Sequence, residues 1–228
     1  MKIIITGATG FVGSEVVRQA IADEGITQAF VLTRKPLPED LSKNTKLTII
    51  EHKDFSTYPP ELLAQLTGAE GCIWAIGGRA TQFPDVETAR KVSVDYTLAA
   101  AKAFTELASK LPEVKKKKGS RKFRFVFCSG KFAEWDQNKN LKMMRDTRLI
   151  KGQVEKGLFD IAEANKDTFD VWAVRPGGIV KKYAGVINAL TANTSGFIAV
   201  DHLARAMLKI ALNGHANRII EANELLKI

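Results

Sequence analysis

Tyrosine is scarce in this chain of 228 residues: there are three, Tyr58, Tyr96 and Tyr183. None falls between Tyr96 and Tyr183, so any chemistry in that stretch that wants a phenol must do without one. Cysteine is scarcer still. Cys72 lies in "GCIWAIGG" and Cys128 in "FRFVFCSG", both apolar runs, which excludes a disulfide framework and suits two buried thiols in a reducing cytosol. The three histidines form no cluster of metal-ligand spacing with them. No apolar run approaches the ~18 residues of a membrane span. The chain opens "MKIIITG", and a strand from the third residue leaves no room for a signal peptide ahead of it, so a cytoplasmic, membrane-free protein is expected.

Acid is in deficit, and the formal net charge is +9. Much of the excess sits in one run, "KKKKGSRK", Lys115 to Lys122, between a helix and a strand. A short basic loop without a reader motif does not make a nucleic-acid protein, and none is expected as partner. An anionic cofactor or substrate explains a mild positive bias equally well.

What is present is a regular alternation. With 45% hydrophobic and 26% charged residues, the chain suits one globular domain. "KIIIT" (2–6), "AFVLTR" (29–34), "KLTII" (46–50), "GCIWAIG" (71–77), "FRFVFCS" (123–129) and "DVWAVR" (170–175) read as strands. They are near-continuous apolar runs, as strands covered on both faces should be. Helical patterns fall between them, near 11–23, 60–67, 85–110, 141–164 and 201–212. In the third, Val86, Ala89, Val92, Tyr96, Ala99, Ala103 and Leu107 recur at helical spacing. The alternation predicts a doubly wound parallel α/β sheet with helices on both faces. Residues 1–175 would form the core. Residues 176–228 would add a last strand ("NRIIEA", 217–222) and a small cover on the substrate side.

The first strand runs into the first helix through "IIITGATGFVG", where Gly7, Gly10 and Gly13 form G-x-x-G-x-x-G. The first glycine permits a tight turn, the second lets backbone approach a pyrophosphate, and the third lets helix and strand pack closely. The following helix offers free N–H groups and a positive dipole end to phosphates. A glycine pattern alone would be weak, but here it follows a strand and opens a helix. Thr9, Phe11 and Val12 belong to the same candidate cofactor loop. At the end of the second strand an NAD site usually carries Asp or Glu for the ribose hydroxyls. This chain reads "VLTRKP". Arg34 suits a forked contact with a 2′-phosphate and Lys35 adds charge, so NADP(H) is expected over NAD(H).

With "TGATGFVG" stand "HKDF" (52–55), "AIGG" (75–78), "KVSVDYTLAAAKA" (91–103), "FVFCSG" (125–130), "LIKGQVE" (149–155), "AVRPGGIV" (173–180) and "VDHLARAML" (200–208). Together they resemble the short-chain dehydrogenase/reductase superfamily, in its atypical and extended branch with the small Tat-interacting oxidoreductase-like proteins. The resemblance covers nearly the whole chain and implies a Rossmann-type fold. It further implies that Asp54 and Phe55 lie against an adenine ring, that Ala75, Ile76 and Gly77 line the cofactor, and that Pro176, Gly177 and Gly178 pass near the nicotinamide. Ser93 stands where the family often has asparagine. His202 reads as structural, in a late helix.

Reductases of that superfamily use Ser, Tyr and Lys: the serine holds a carbonyl oxygen, the tyrosine protonates it, and the lysine binds the nicotinamide ribose. By the resemblance Ser129 matches the serine and Lys151 the lysine. Four residues before Lys151, on the same helix face, stands Thr147 where the family has tyrosine. A threonine hydroxyl donates a hydrogen bond but is a far poorer acid than a phenol of pKa about 10. Arg145, Asp146 and Arg148 are candidate stand-ins, or else a solvated ion-pair face. Tyr183 is a candidate to overhang the substrate side, and Phe83, Phe132 and Trp135 to form an apolar wall. Two readings stay open. One is an NADP(H)-dependent reductase acting on a small apolar carbonyl, enone or imine. The other is a cofactor-binding protein without ordinary redox turnover: a sensor, a partner-binding regulator, or a non-redox isomerase or cyclase. Both a monomer and a homodimer through the long helices 85–110 and 141–164 are compatible with the pattern.

Overall fold

The computed structural model describes residues 1–111, 122–181 and 196–228. Strands β1 (Lys2–Thr6), β2 (Gln28–Thr33), β3 (Leu47–Glu51), β4 (Gly71–Trp74), β5 (Phe123–Cys128), β6 (Phe169–Arg175) and β9 (Ile219–Glu221) form a sheet of order β3-β2-β1-β4-β5-β6-β9. Every pairing in it is parallel. A separate parallel pair joins β7 (Gly178–Val180) to β8 (Phe197–Ala199). The helices of the described residues are α1 (Phe11–Ala22), α2 (Glu39–Ser42), α3 (Pro60–Gln65), α4 (Val86–Arg90), α5 (Tyr96–Ser109), α6 (Arg145–Ala164) and α7 (Val200–Asn213), with a terminal turn at Ala222–Leu225.

The unbroken apolar strands follow from cover on both sides. In β1, Ile3 and Ile5 join the core that holds Val16, Val17 and Ala20 of α1 with Leu203 and Met207 of α7. Ile4 between them joins the opposite core, with Trp74, Phe104 of α5 and Leu158 of α6. All three isoleucines are fully buried, each contributing roughly 2 kcal/mol. The strand order reverses between β1 and β4. A doubly wound sheet opens its ligand crevice there, beyond the carboxyl ends of the strands.

Several boundaries depart from the periodicity. β4 stops at Trp74, because the Ala75 N–H turns to Thr6 Oγ1 at 3.2 Å instead of a neighbouring strand. α6 starts at Arg145, since Met144 adopts a left-handed φ of 50°. The helix expected over 85–110 is interrupted by a π-helical stretch, Lys91–Asp95. Of the segment 176–228, β9 extends the main sheet and α7 packs on α1, where Gln19 Nε2 donates to the Asp201 carbonyl at 2.7 Å. α7 thus covers the same face of the sheet as α1. His202 Nε2 meets the Leu225 carbonyl at 3.1 Å and ties α7 to the terminal turn. The basic run up to Arg121 and the candidate Tyr183 lie outside the described residues.

Candidate dinucleotide site and its reactive end

The glycine turn is built by close approach. Gly7 has φ +69°, and a Cβ there would stand 2.5 Å from the Ala75 carbonyl oxygen. The Gly10 N–H donates to the Gly7 carbonyl at 2.8 Å. A Cβ on Gly13 would come to 2.2 Å from that same oxygen, so α1 leans directly on the turn. Gly10 caps α1 with no side-chain hydrogen bond, and the first turn holds no acid. Its N–H groups and positive dipole end are therefore unclaimed by the helix's own side chains. Thr9 and Phe11 are exposed at this end, and Val12 is half-buried against the α1–α7 core.

A cleft of about 130 Å³ runs from Gly7, Ala8 and Thr9 past Thr33, Arg34 and Lys35 to Phe55, Ile76, Val92 and Tyr96. The Thr33 hydroxyl shapes its far wall, donating to the Lys35 carbonyl at 2.7 Å and accepting the Lys35 N–H at 3.3 Å. Arg34 and Lys35 are exposed, and among the described residues neither pairs with a carboxylate. An uncapped helix end, a turn whose close approaches leave no room for a Cβ and two exposed cations at the end of β2 fit the diphosphate and sugar of a dinucleotide. Phe55 lines the cleft edge-on to Trp74, its centroid 6.0 Å away. Asp54 does not line it. Its carboxylate accepts the Ser56 N–H at 2.9 Å and the Ser56 hydroxyl at 2.6 Å, which hold its pKa below the usual carboxylate range.

Beyond the carboxyl end of β5, Lys151 is buried and its Nζ donates to the Cys128 carbonyl at 2.9 Å. Desolvation pushes the ammonium pKa down, against the pull of Cys128 and Glu155. Gly77 (φ +127°) sits opposite: a Cβ there would be 3.5 Å from both Lys151 Nζ and Ser93 Oγ. Ser93 is buried, carried inward by the π-helical stretch, and its Oγ has no partner among the described residues. π turns recur where a helix must aim a side chain at a site. Thr147 Oγ1, one helical turn before the lysine, accepts the Ala80 N–H at 2.8 Å. The Ser129 hydroxyl does not point into open space. It donates to Glu155 Oε1 at 2.5 Å. Glu155 is fully buried, and its other oxygen accepts Trp135 Nε1 at 2.7 Å. Arg175 clasps both carboxylate oxygens and also pairs with Glu221 at 2.8 Å, so its pKa is raised.

A sequence profile described as NAD(P)H-binding matches residues 7–213, from the first glycine to the end of α7. The chain belongs to this NAD(P)H-binding family. A curated family relative, the leucinostatins biosynthesis cluster protein T of Purpureocillium lilacinum, is 37% identical over 131 residues, which is 57% of this chain and 42% of that protein. The chain thus spans under half the length of that relative. Among solved structures, Gre2 of Candida albicans in complex with NADPH superposes with a TM-score of 0.71 at 18% identity, covering 97% of this chain and 78% of the other. MoeE5 in complex with UDP-glucuronic acid and NAD does so at 0.68 and 15%, covering 97% and 75%. These likenesses show a shared Rossmann-type fold. Among the described residues no helix of this family member is long and apolar enough to cross a membrane.

The remaining candidates fall around the two ends. Pro176 is buried and its carbonyl accepts the Lys131 N–H at 2.8 Å, while a Cβ on Gly177 would be 2.3 Å from the Gly196 carbonyl. Gly178 opens β7 and its N–H donates to the same carbonyl at 2.8 Å. Phe132 is exposed, φ +66°, between Lys131 and Arg148, and so forms a rim rather than an interior wall. Arg148 Nε donates to the Phe132 carbonyl at 2.9 Å, and Arg145 pairs with Asp146 at 3.2 Å. Both cations are thereby committed locally. Sequence reasoning passed over Glu155 and Arg175, although a glutamate one turn after the lysine and an arginine ending an apolar strand were visible. An acid in an apolar helix face signals a buried partner.

Proposed function

We propose that the chain binds NADP(H) along the cleft and transfers hydride to a small apolar acceptor that is already polarised: a carbonyl, enone or imine. The observation that carries the reading is that Arg34 and Lys35, which pair with no carboxylate among the described residues, share one cleft with the glycine turn, and that the chain leads from its lining residue Ile76 to Gly77, where a Cβ would lie 3.5 Å from the buried ammonium of Lys151. The turn would hold the diphosphate, Arg34 and Lys35 the 2′-phosphate, and Lys151 with Gly77 the sugar of the reactive ring. A bound nicotinamide supplies the hydride. Thr147 supplies a hydrogen bond but not acid strength. Its oxygen is occupied by the Ala80 N–H, and its proton is left to donate. The absence of a strong acid costs about 10²- to 10⁴-fold and leaves hydride transfer to polarised acceptors open.

The commitment of the Ser129 proton to Glu155 favours a second reading, a family member that holds the coenzyme without ordinary turnover. Calorimetry and NADPH oxidation across carbonyls, enones and imines separate the two. Consumption with any acceptor supports hydride transfer; tight NADPH binding with none consumed supports the second. Arg34→Ala should weaken NADPH by roughly 10- to 100-fold, the worth of a charged hydrogen bond, and NADH far less. Equal losses would remove the 2′-phosphate assignment.

A further inference from the structure

We propose that Ser129 acts here as a hydrogen-bond acceptor, held in that role by Glu155, and that the hydride acceptor is a protonated imine rather than a ketone. This rests on the hydride-transfer reading. Serine has one proton, and Ser129 gives it to Glu155 Oε1 at 2.5 Å. The reverse arrangement is closed off, because a carboxylate gripped by Arg175 on both oxygens and by Trp135 Nε1 has only lone pairs to offer. Ser129 is buried and its backbone is fixed, its N–H donating to the Val174 carbonyl at 2.9 Å. What remains on its oxygen for a further partner is therefore a lone pair, made more electron-rich by donation to an anion. A ketone oxygen there would meet lone pair against lone pair. An N–H on a C=N bond would meet the complement.

The same substrate accounts for the threonine. When hydride adds to the carbon of a protonated imine, the C–H bond forms and the C=N π electrons become the nitrogen lone pair. A neutral amine leaves, and the dinucleotide is oxidised by two electrons. No proton is needed from the protein, so Thr147 has only to orient and the family's phenol has no task. The charges behind the site balance, with Lys151 and Arg175 facing Glu155 and Glu221. Glu155 touches no substrate and is a positioning residue.

The test pairs a methylpyrroline with cyclopentanone, rings of the same size, and adds pyrrolidine as a non-reacting amine. The full chain with NADPH should consume the imine roughly 10-fold faster than the ketone or better, a difference of one charged hydrogen bond. With NADPH bound, pyrrolidine has no electrophilic carbon to accept hydride and should give a calorimetric signal that Ser129→Ala loses. Glu155→Gln keeps an oxygen for Arg175 but turns an amide N–H₂ toward Ser129, so the imine-to-ketone ratio should collapse. If that variant fails to fold, Ser129→Ala with pyrrolidine decides alone. Ketone consumed as fast as imine by the unaltered chain overturns the acceptor role while leaving hydride transfer standing. NADPH bound but consumed with neither ring removes hydride transfer and the imine assignment with it. Pyrrolidine bound equally by Ser129→Ala removes the acceptor role whatever the turnover.

Discussion

Thr147 Oγ1 accepts the Ala80 N–H at 2.8 Å, so this threonine stitches α6 to the loop after β4. The threonine hydroxyl therefore has a structural task. Thr147→Val should leave a half-buried N–H unsatisfied and cost about 1–3 kcal/mol, read as a lower urea midpoint. Thr147→Ser should keep most of that stability. Equal midpoints for the valine variant and the unaltered chain would deny the contact.

Gly13→Ala should be far worse than its size suggests. The added Cβ would meet the Gly7 carbonyl at 2.2 Å, and both partners are backbone, so α1 must move off the turn. Loss of NADPH binding in calorimetry together with a lowered melting temperature is expected. Unchanged binding would mean that the turn does not hold the diphosphate.

Glu155→Ala would leave Arg175 half-satisfied and strip partners from Ser129 and Trp135. Removing one partner of a buried ion pair costs about 3–5 kcal/mol. That is a large fraction of the 5–15 kcal/mol typical of a whole domain, so denaturation should show a severely weakened or unfolded chain.

Lys151 gives stability a pH slope. Burial lowers its pKa in the folded state, so between that value and the ordinary ammonium range the unfolded chain binds more protons. Stability should rise with pH through that window, because the penalty for the buried charge is complete below the folded pKa and relieved above it. Urea midpoints measured from neutral pH upward should climb, and Lys151→Met should flatten the climb. A midpoint that falls over this range, beyond what the methionine variant shows, would contradict the burial of the charge.

The sheet was legible because its physics is local. Strands covered on both faces must be continuously apolar, and β1 to β6 announced themselves within a residue or two, save for the early end of β4. The glycine turn was legible for a similar reason, since no Cβ fits 2.5 Å from the Ala75 carbonyl oxygen at Gly7 or 2.2 Å from the Gly7 carbonyl oxygen at Gly13. Ends of elements were less so. The π-helical stretch at Lys91–Asp95 carries the same 3.6-residue pattern as an ordinary helix, and nothing in its letters announces that Ser93 will be aimed at Gly77 and Lys151.

Residue identities by themselves determined the alternating α/β architecture, the glycine turn, the basic end of β2 and the lack of a tyrosine between Tyr96 and Tyr183. Which hydroxyl gives its proton to which partner was decided only by tertiary structure. Ser129, Glu155, Trp135 and Arg175 come from a strand end, a helix, a loop and another strand, and their hydrogen bonds exist only once the sheet has brought them together. A hydrogen bond is directional over about 3 Å, whereas sequence periodicity reports only which face of an element is turned inward.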